Sequence, residues 1–296
     1  MKRLIPTLLV FGLVGAAVMA QSRSRSRGWG GAYGEGGYST NGVRTAREIP
    51  SHSTGTPVWT NPNGFSKDAF TFVRIRYTNG YGGGGYYGRG GAGWTTDLPD
   101  SDLNLSYRLQ QMTSIKVDPD GRILDLTDPD LSNFPWIYIV EPGGLMFSNE
   151  EVVALRKYLL NGGFLMFDDF WGEAAWANVA EEMKKVFPDR SFSELPLDHP
   201  LYSCVFQIKE KGQVPNVRTG EDSKHDGRTW EREDAKVVHH RVLYDDKGRM
   251  MVFAAHNTDN GDGWEREGEY EYYFKNFSEK IAYPLGINVI FYVMTH

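Results

Sequence analysis

Residues 161–171 read NGGFLMFDDFW. The glycines at the start of this segment are typical of a helix end, and the apolar run that follows predicts a short buried strand. That strand leads directly into two adjacent carboxylates, Asp168 and Asp169. In open parallel α/β sheets, ligands bind outside the carboxyl ends of the strands. The pair is therefore a candidate site at the end of a central strand.

Strands and helices alternate on either side of this segment. The clearest helix begins at Ser148, which has capping-box spacing to Glu151, and it stops at Gly162. Alternation of this kind predicts an α/β fold with a mostly parallel sheet that helices cover on both faces. Further predicted strands lie at 70–77, 115–117, 136–140, 205–209, 236–244 and 250–255, and further helices at 103–112, 174–186 and 277–293.

The N-terminal segment predicts export. Met1-Lys2-Arg3 precedes an apolar run to Ala20, which is typical of a secretory signal peptide cleaved ahead of Gln21; an uncleaved anchor is the alternative. The single cysteine cannot form an internal disulfide, so an ordinary core must stabilise the protein. We expect a periplasmic or extracellular protein with a signal peptide at 1–20, a flexible or loosely packed Gly/Ser/Arg-rich lead-in at 21–65 and an α/β domain at 66–296.

The net charge of the chain argues against some classes of binding partner. The formal net charge is −6, and without Lys2 and Arg3 it becomes −8, because 30 basic residues then stand against 38 acidic residues. An acidic surface disfavours a general role in binding nucleic acids or anionic membranes. We expect a polar small molecule or an envelope protein as the partner, and no transmembrane span once the signal peptide is removed.

Several polar residues are expected at the same sheet edge as the Asp pair. Right-handed crossovers bring there the end of the strand at 70–77 and the end of the strand at 250–255. The sequence of the polar loop at 258–265 fits either a surface loop or a part of the site. Asp97 precedes a helix start, which also explains it without a role in catalysis. The candidate ligand-binding set is Asp168, Asp169, His256, Asn257, Asp262, Glu265, Arg74 and Asp97.

The Asp pair itself has three interpretations. Neighbouring carboxylates repel each other unless a cation or hydrogen-bond donors satisfy them, which favours a metal or polar ligand. One carboxylate could instead cap the helix at 174–186 while the other pairs with Arg74 or Arg76. Binding of substrate hydroxyls is the third interpretation. No cofactor is predicted, although a divalent cation is compatible with the pair.

Known catalytic motifs are missing from the sequence. There is no CxxC, P-loop, HExxH or Ser-His-Asp set. The glycine-rich segment at 79–91 lacks both the Gly-Lys-Ser/Thr ending and the directly following helix of a phosphate-binding loop. Its Gly/Tyr composition predicts a mobile loop. Cys204 lies after a proline-containing loop and is expected to be a core thiol.

Four motifs together resemble a known bacterial family. They lie at 94–104 (WTTDLPDSDLN), 160–169 (LNGGFLMFDD), 198–200 (DHP) and 286–289 (GINV). In combination they are similar to the bacterial domain-of-unknown-function 4159 family, over about residues 68–296. The resemblance implies the class I glutamine amidotransferase-like superfamily and hence a flavodoxin-like three-layer α/β sandwich. Catalytic members of that superfamily carry a cysteine nucleophile where this chain has Phe167-Asp168-Asp169, which argues against glutamine amidotransferase activity.

The sequence supports two main hypotheses of function. The first is a non-catalytic ligand-binding or assembly module of the cell envelope, since the nucleophile is missing. The alternative is a hydrolase of a sugar or another polar envelope substrate, with Asp168, Asp169 and His256 as acid–base or metal-binding groups. Family analogy alone adds a third idea, a scaffold partner of membrane proteins.

Overall fold

The computed structural model describes residues 40, 42–62, 68–80 and 93–296. The expected signal peptide, the first part of the lead-in and the Gly/Tyr loop from residue 81 onward lie outside these residues. Within the described ranges, no helix combines the length and the apolar character that crossing a bilayer requires. The elements are β1 (Val73–Arg76), β2 (Thr78–Asn79), α1 (Asp100–Met112), β3 (Arg122–Asp125), β4 (Trp136–Val140), β5 (Leu145–Met146), α2 (Asn149–Leu160), β6 (Phe164–Phe170), α3 (Gly172–Val186), β7 (Ser193–Glu194), α4 (Val217–Asp226), β8 (His239–Tyr244), β9 (Met250–His256), α5 (Asn260–Glu265), α6 (Glu271–Tyr273), a π-helical stretch (Phe274–Ala282) and α7 (Tyr283–Thr295).

Seven of the described strands form one sheet in the order β3-β1-β4-β6-β9-β8-β7. The first five strands in this order are parallel. β8 runs antiparallel to β9, and β7 runs antiparallel to β8. β2 and β5 form a separate antiparallel pair. The mostly parallel sheet confirms the α/β prediction.

Helices cover both faces of this sheet. On one face, a core that includes Tyr138 packs against α1, α5 and α7. On the other face, a core that includes Ile139 packs against α2 and α3. Successive residues of β4 thus enter opposite cores, and every residue of this strand is buried. The architecture is therefore three layers, helix, sheet and helix.

The end of β6 departs from regular pairing. The register between β6 and β9 shifts between Phe167 and Phe170. Asp168 and Asp169 therefore lie in a bulge, which re-aims side chains and often occurs beside functional sites. The predicted strand at 164–167 is confirmed, but it continues through both carboxylates to Phe170.

The predicted strand at 205–209 is wrong. This segment pairs with none of the described strands. Instead, the side chain of Asn288 accepts a hydrogen bond from the backbone N–H of Phe206 at 2.8 Å and donates one to its C=O at 2.8 Å. A side chain on α7 thus satisfies the polar groups that a sheet ladder would otherwise occupy.

Four other elements differ from the sequence patterns. The predicted strand at 115–117 forms only one bridge, between Phe70 and Val117. β3 follows the predicted turn at 118–121, and α4 lies in the polar insertion where no element was expected. The last helix begins at Glu271, earlier than its apolar stripe indicates.

Part of the segment predicted as a flexible or loosely packed lead-in lies against the domain. Arg47 donates hydrogen bonds to the carbonyl oxygens of Pro57 at 2.9 Å and Pro119 at 2.6 Å. The indole of Trp59 donates to the carbonyl oxygen of Val117 at 3.1 Å. Ala46 is fully buried. Residues 42–62 therefore contribute specific contacts to the domain.

Candidate functional site

Four residues other than glycine have positive φ angles within the described residues: Asp97 (60°), Glu141 (48°), Asp169 (54°) and Asn257 (64°). The last three lie at the ends of β4, β6 and β9. Asp97 precedes α1, and its negative charge contributes to the raised pKa of Asp169. Such backbone costs about 1–3 kcal/mol per residue and clusters at functional sites. Residues with positive φ angles therefore occur at the same sheet edge where the sequence predicts the candidate site.

Asp168 is held by three hydrogen bonds from its surroundings. It accepts from the hydroxyl of Tyr138 at 2.9 Å, from the side-chain amide of Asn260 at 2.7 Å and from the backbone N–H of Gly261 at 3.0 Å. Burial nevertheless raises the pKa of Asp168 to about 6, although these donors oppose the shift. The residue therefore anchors the start of α5 to the end of β6.

A triad of carboxylates lies beside this anchor. Asp97, Asp262 and Glu265 each offer one ligand oxygen, and these oxygens lie within 4.8 Å of one another. All three residues are buried, with exposed fractions of 8%, 6% and 5%. Among the described residues, Oδ2 of Asp97 and Oε2 of Glu265 have no hydrogen-bond partner, although both atoms are buried. Oxygens of this kind are costly to bury unpaired and are the ligands that Ca²⁺ and Mg²⁺ take.

Arg266 places one positive charge beside the triad. Its Nε lies 2.8 Å from Oε2 of Glu265 and 3.7 Å from Oδ1 of Asp262. Among the described residues Nε of Arg266 makes no hydrogen bond, so both contacts are ion pairs without hydrogen-bond alignment. Burial, followed by the charge of Asp262, still holds the pKa of Asp97 well above its ordinary value. The guanidinium therefore offsets only part of the negative charge.

Further carboxylates face the triad. Burial and the charge of Glu141 raise the pKa of Asp169, and burial and the charge of Asp169 raise that of Asp259. Burial raises the pKa of Glu231 to about 7, and nearby Asp262 adds to the shift. These groups form one set, which we name the acidic cluster: Asp97, Glu141, Asp169, Glu231, Asp259, Asp262 and Glu265. A low-dielectric site with this much like charge favours a cationic ligand.

Arg74 does not pair with the Asp residues of β6. Its guanidinium is fully buried and pairs with Asp102 in α1. It also donates to the carbonyl oxygens of Trp94 at 3.1 Å and Thr96 at 2.8 Å, and to the hydroxyl of Ser101 at 3.0 Å. Arg74 therefore holds the segment that carries Asp97, and it is a positioning residue of the site.

His256 and Asn257 have structural partners. His256 accepts from Arg241 through Nδ1 at 2.8 Å, and its Nε2 lies 3.0 Å from the carbonyl oxygen of Gly172. The side chain of Asn257 accepts from the N–H of Gly172 and donates to the carbonyl oxygen of Val237, each at 2.8 Å. Asn257, rather than an Asp of β6, thus binds the first N–H of α3. Among the described hydrogen bonds, none joins His256 to Asp168 or Asp169.

Asp169 does not cap α3 either. The N-cap position of that helix is Trp171, which makes no side-chain cap. The indole of Trp171 donates to Oδ1 of Asp169 at 3.0 Å. The contacts of Asp169 therefore do not support the interpretation in which one Asp of the pair caps the helix and the other pairs with an arginine.

Cys204 has the surroundings of an inert thiol. Its Sγ is 3.5 Å from the carbonyl oxygen of Leu201 and 3.4 Å from that of Asn288. Burial raises the pKa of the thiol. A nucleophilic cysteine needs a lowered pKa and a neighbouring base.

Three members of the acidic cluster were missed from the sequence. Glu141 directly follows β4, so the strand-end rule that selected Asp168 could have found it. Asp259 lies in the loop that was already considered, and it caps α5 by accepting from the N–H of Asp262 at 2.8 Å. Glu231 comes from the polar insertion, and no local signal marks it.

The comparisons bear on the family. A comparison with curated proteins finds no match. A family model described as "Domain of unknown function (DUF4159)" matches residues 71–294, a range that includes every member of the acidic cluster. This match confirms the family resemblance of the four sequence motifs. The chain belongs to the DUF4159 family.

Proposed function

We propose that the protein is an exported, non-catalytic ligand-binding module of the cell envelope whose acidic cluster binds a divalent cation. One observation carries this proposal: ligand oxygens of Asp97, Asp262 and Glu265 converge within 4.8 Å, and among the described residues Oδ2 of Asp97 is buried without a hydrogen-bond partner. A cation would satisfy these oxygens and relieve the repulsion among the carboxylates. The bound ion could then bridge to a polar small molecule or an envelope protein.

The strand order supports a finer proposal for the fold. Numbered along the chain, the five parallel strands have the spatial order 2-1-3-4-5, which is that of flavodoxin-like sheets. We propose a flavodoxin-like sandwich of the class I glutamine amidotransferase-like superfamily. The inert environment of Cys204 favours binding over thiolate chemistry within this proposal.

Replacing Asp97 by asparagine is expected to weaken Ca²⁺ or Mg²⁺ binding by at least about tenfold. Asparagine tolerates the positive φ of this position and keeps the side-chain size, so the fold should persist. Titration calorimetry at slightly alkaline pH measures the affinity. The matched control is Asp189→Asn, an exposed carboxylate after α3, which should bind as the wild type does. Equal affinity of all three proteins, or no binding by the wild type, would contradict the proposal.

Export has a separate test. The charged start, the apolar run and Ala20 motivate cleavage ahead of Gln21. N-terminal sequencing of the protein isolated from its native envelope fraction is expected to begin at Gln21. Recovery of the mature protein with residues 1–20 still attached would instead support the anchor.

A further inference from the structure

Two arginines lie beside the acidic cluster, and they are held in different ways. Arg74 is fully buried, and its guanidinium donates to Asp102 at 3.0 Å and to two backbone carbonyl oxygens at 2.8 Å and 3.1 Å. The Nε of Arg266 makes no hydrogen bond among the described residues, although it lies 2.8 Å from Oε2 of Glu265. Directed hydrogen bonds therefore fix Arg74, whereas charge holds the Nε of Arg266 beside the triad.

Arg266 is also more exposed to solvent than the carboxylates that it contacts. Its side chain is 22% exposed, against 9% for Asp262 and 6% for Glu265. Oδ2 of Asp97, the third residue of the triad, is buried. The guanidinium thus contacts two of the three carboxylates and extends from them to solvent. A cation that approaches the triad along this side chain must displace it.

A cation at the triad and the guanidinium in this position repel each other. Carboxylate oxygens lie about 2.0–2.6 Å from bound Mg²⁺ or Ca²⁺. An ion bound through Oε2 of Glu265 would therefore lie about 5 Å or less from Nε of Arg266. Like charges at this separation destabilise each other strongly where solvent screens them little. Binding of the ion thus favours a second position for the guanidinium.

Glu269 offers the guanidinium a partner outside the triad. Its Oε2 lies 3.6 Å from Nη1 of Arg266. The backbone N–H of Glu269 donates to the carbonyl oxygen of Arg266 at 3.4 Å, and Gly268, with a φ of 81°, lies in this turn. The turn therefore holds the two side chains next to each other. A rotation of Arg266 toward Glu269 keeps its charge paired while the guanidinium leaves Glu265.

We propose that the guanidinium of Arg266 is a built-in competitor of the cation and moves from the triad to Glu269 when the ion binds. This inference rests on the proposed cation site and adds the residue that regulates its affinity. In the ion-free protein the guanidinium balances part of the charge of the triad. In the ion-bound protein the cation takes over this role, and Glu269 pairs with the guanidinium. The affinity therefore depends on the free-energy difference between these two arrangements.

Substitutions of Arg266 test the competition by titration calorimetry with Ca²⁺ at slightly alkaline pH. Arg266→Gln removes the competing charge and should bind Ca²⁺ at least about tenfold more tightly than the wild type. Arg266→Lys keeps a positive charge and should bind more weakly than Arg266→Gln. Lys275→Gln is the control for net charge, because Lys275 is exposed and pairs with Glu271; its affinity should equal that of the wild type.

The same titrations distinguish this inference from the proposed function. Binding by the wild type without tighter binding by Arg266→Gln would overturn the inference and leave the cation site intact. Absence of Ca²⁺ binding in both proteins would contradict the cation site itself, and the inference with it. Equal gains in Arg266→Gln and Lys275→Gln would also overturn the inference, since net charge alone then explains them.

A double-mutant cycle tests the role of Glu269. Glu269→Gln should weaken Ca²⁺ binding by about threefold or more, because the displaced guanidinium loses its partner. The same change should have no effect in the Arg266→Gln background, where no guanidinium needs a partner. Equal effects in both backgrounds would overturn the second position.

NMR of the wild-type protein follows the movement directly. The Nε–H signal of Arg266, assigned by its loss in Arg266→Lys, should shift to saturation as Ca²⁺ is added. A signal that does not move while calorimetry shows binding would overturn the displacement. If Arg266→Gln does not fold, this titration and Glu269→Gln still decide, and unchanged affinity in Glu269→Gln would then contradict the proposal.

Discussion

Arg74→Met is expected to lower the free energy of unfolding by about 3–5 kcal/mol, because it leaves the carboxylate of Asp102 buried without its partner. Both side chains of this pair are almost wholly shielded from solvent, with exposed fractions of 0% and 1%. The guanidinium also stacks over the ring of Tyr138 at 5.2 Å, a contact that methionine replaces only in part. For a domain of this size the thermal midpoint should fall by roughly 10 °C.

The neighbouring arginine of the same strand is the matched control. Arg76 is partly exposed and lies 3.6 Å from Asp125, so Arg76→Met should cost about 1 kcal/mol or less. The double variant Arg74→Met/Asp102→Leu should recover part of the lost stability, since it leaves no unpaired buried charge. Chemical denaturation measures all three. Equal losses for Arg74→Met and Arg76→Met would refute the assignment.

Arg74→Met should also weaken the binding of a cation at the triad. Arg74 donates to the backbone at Trp94 and Thr96, directly before the triad residue Asp97. Without these bonds the turn loses its fixed geometry, and ligand oxygens must be held closely to bind an ion well. We expect weaker Ca²⁺ binding in Arg74→Met and unchanged binding in Arg76→Met.

Local patterns in the sequence predicted many of the strands and helices. The apolar run 136–140 has the same bounds as β4. Ser148 caps α2 by accepting from the N–H of Glu151, whose side chain bonds back, as their spacing indicated. These features depend on residues within one turn or one strand, so the pattern contains the information. Asp168 and Asp169 were located for the same reason, as the end of an apolar strand is visible in the sequence.

The features that the sequence did not predict depend on contacts between residues far apart in the chain. Arg74 and Asp102 belong to different elements, and only the packed fold shows that Asp102, rather than an Asp of β6, is the partner. Glu231 reaches the acidic cluster from an insertion whose helix, α4, has no apolar stripe of its own. The π-helical stretch lies directly before Pro284, and a sequence pattern shows a proline inside a helix only as a kink.

The different roles of two adjacent carboxylates also escaped the sequence. Asp168 is satisfied by Tyr138, Asn260 and Gly261. Asp169, one residue later, turns at a positive φ toward other acids. The bulge separates them, and its position depends on how β9 pairs with β6. A sequence pattern that treats both as strand-end residues cannot distinguish the anchor from the member of the cluster.

Raising the pH in the presence of a chelator is expected to destabilise the protein, in contrast to most proteins with paired carboxylates. Burial raises the pKa of Asp168 to about 6 and that of Glu231 to about 7, whereas both are near 4 in an unfolded chain. A carboxyl with a raised pKa in the folded state binds its proton more tightly there. Its stabilising effect is therefore full below about pH 4 and is lost as the pH rises to about 7.

The loss should be on the order of 3 kcal/mol or more between about pH 4 and about pH 8, since each unit of pKa shift corresponds to about 1.4 kcal/mol. Saturating Ca²⁺ should reverse the part of this loss that comes from the acidic cluster, because the ion replaces the protons that members such as Glu231 lose. Asp169→Asn removes one repelling charge and retains an acceptor for Trp171, so it should flatten the pH dependence, whereas exposed Asp189→Asn should not. Denaturant unfolding across this range, with chelator and with Ca²⁺, provides the measurement. A stability that rises with pH in chelator would show that burial does not hold these carboxylates protonated, and it would contradict this prediction.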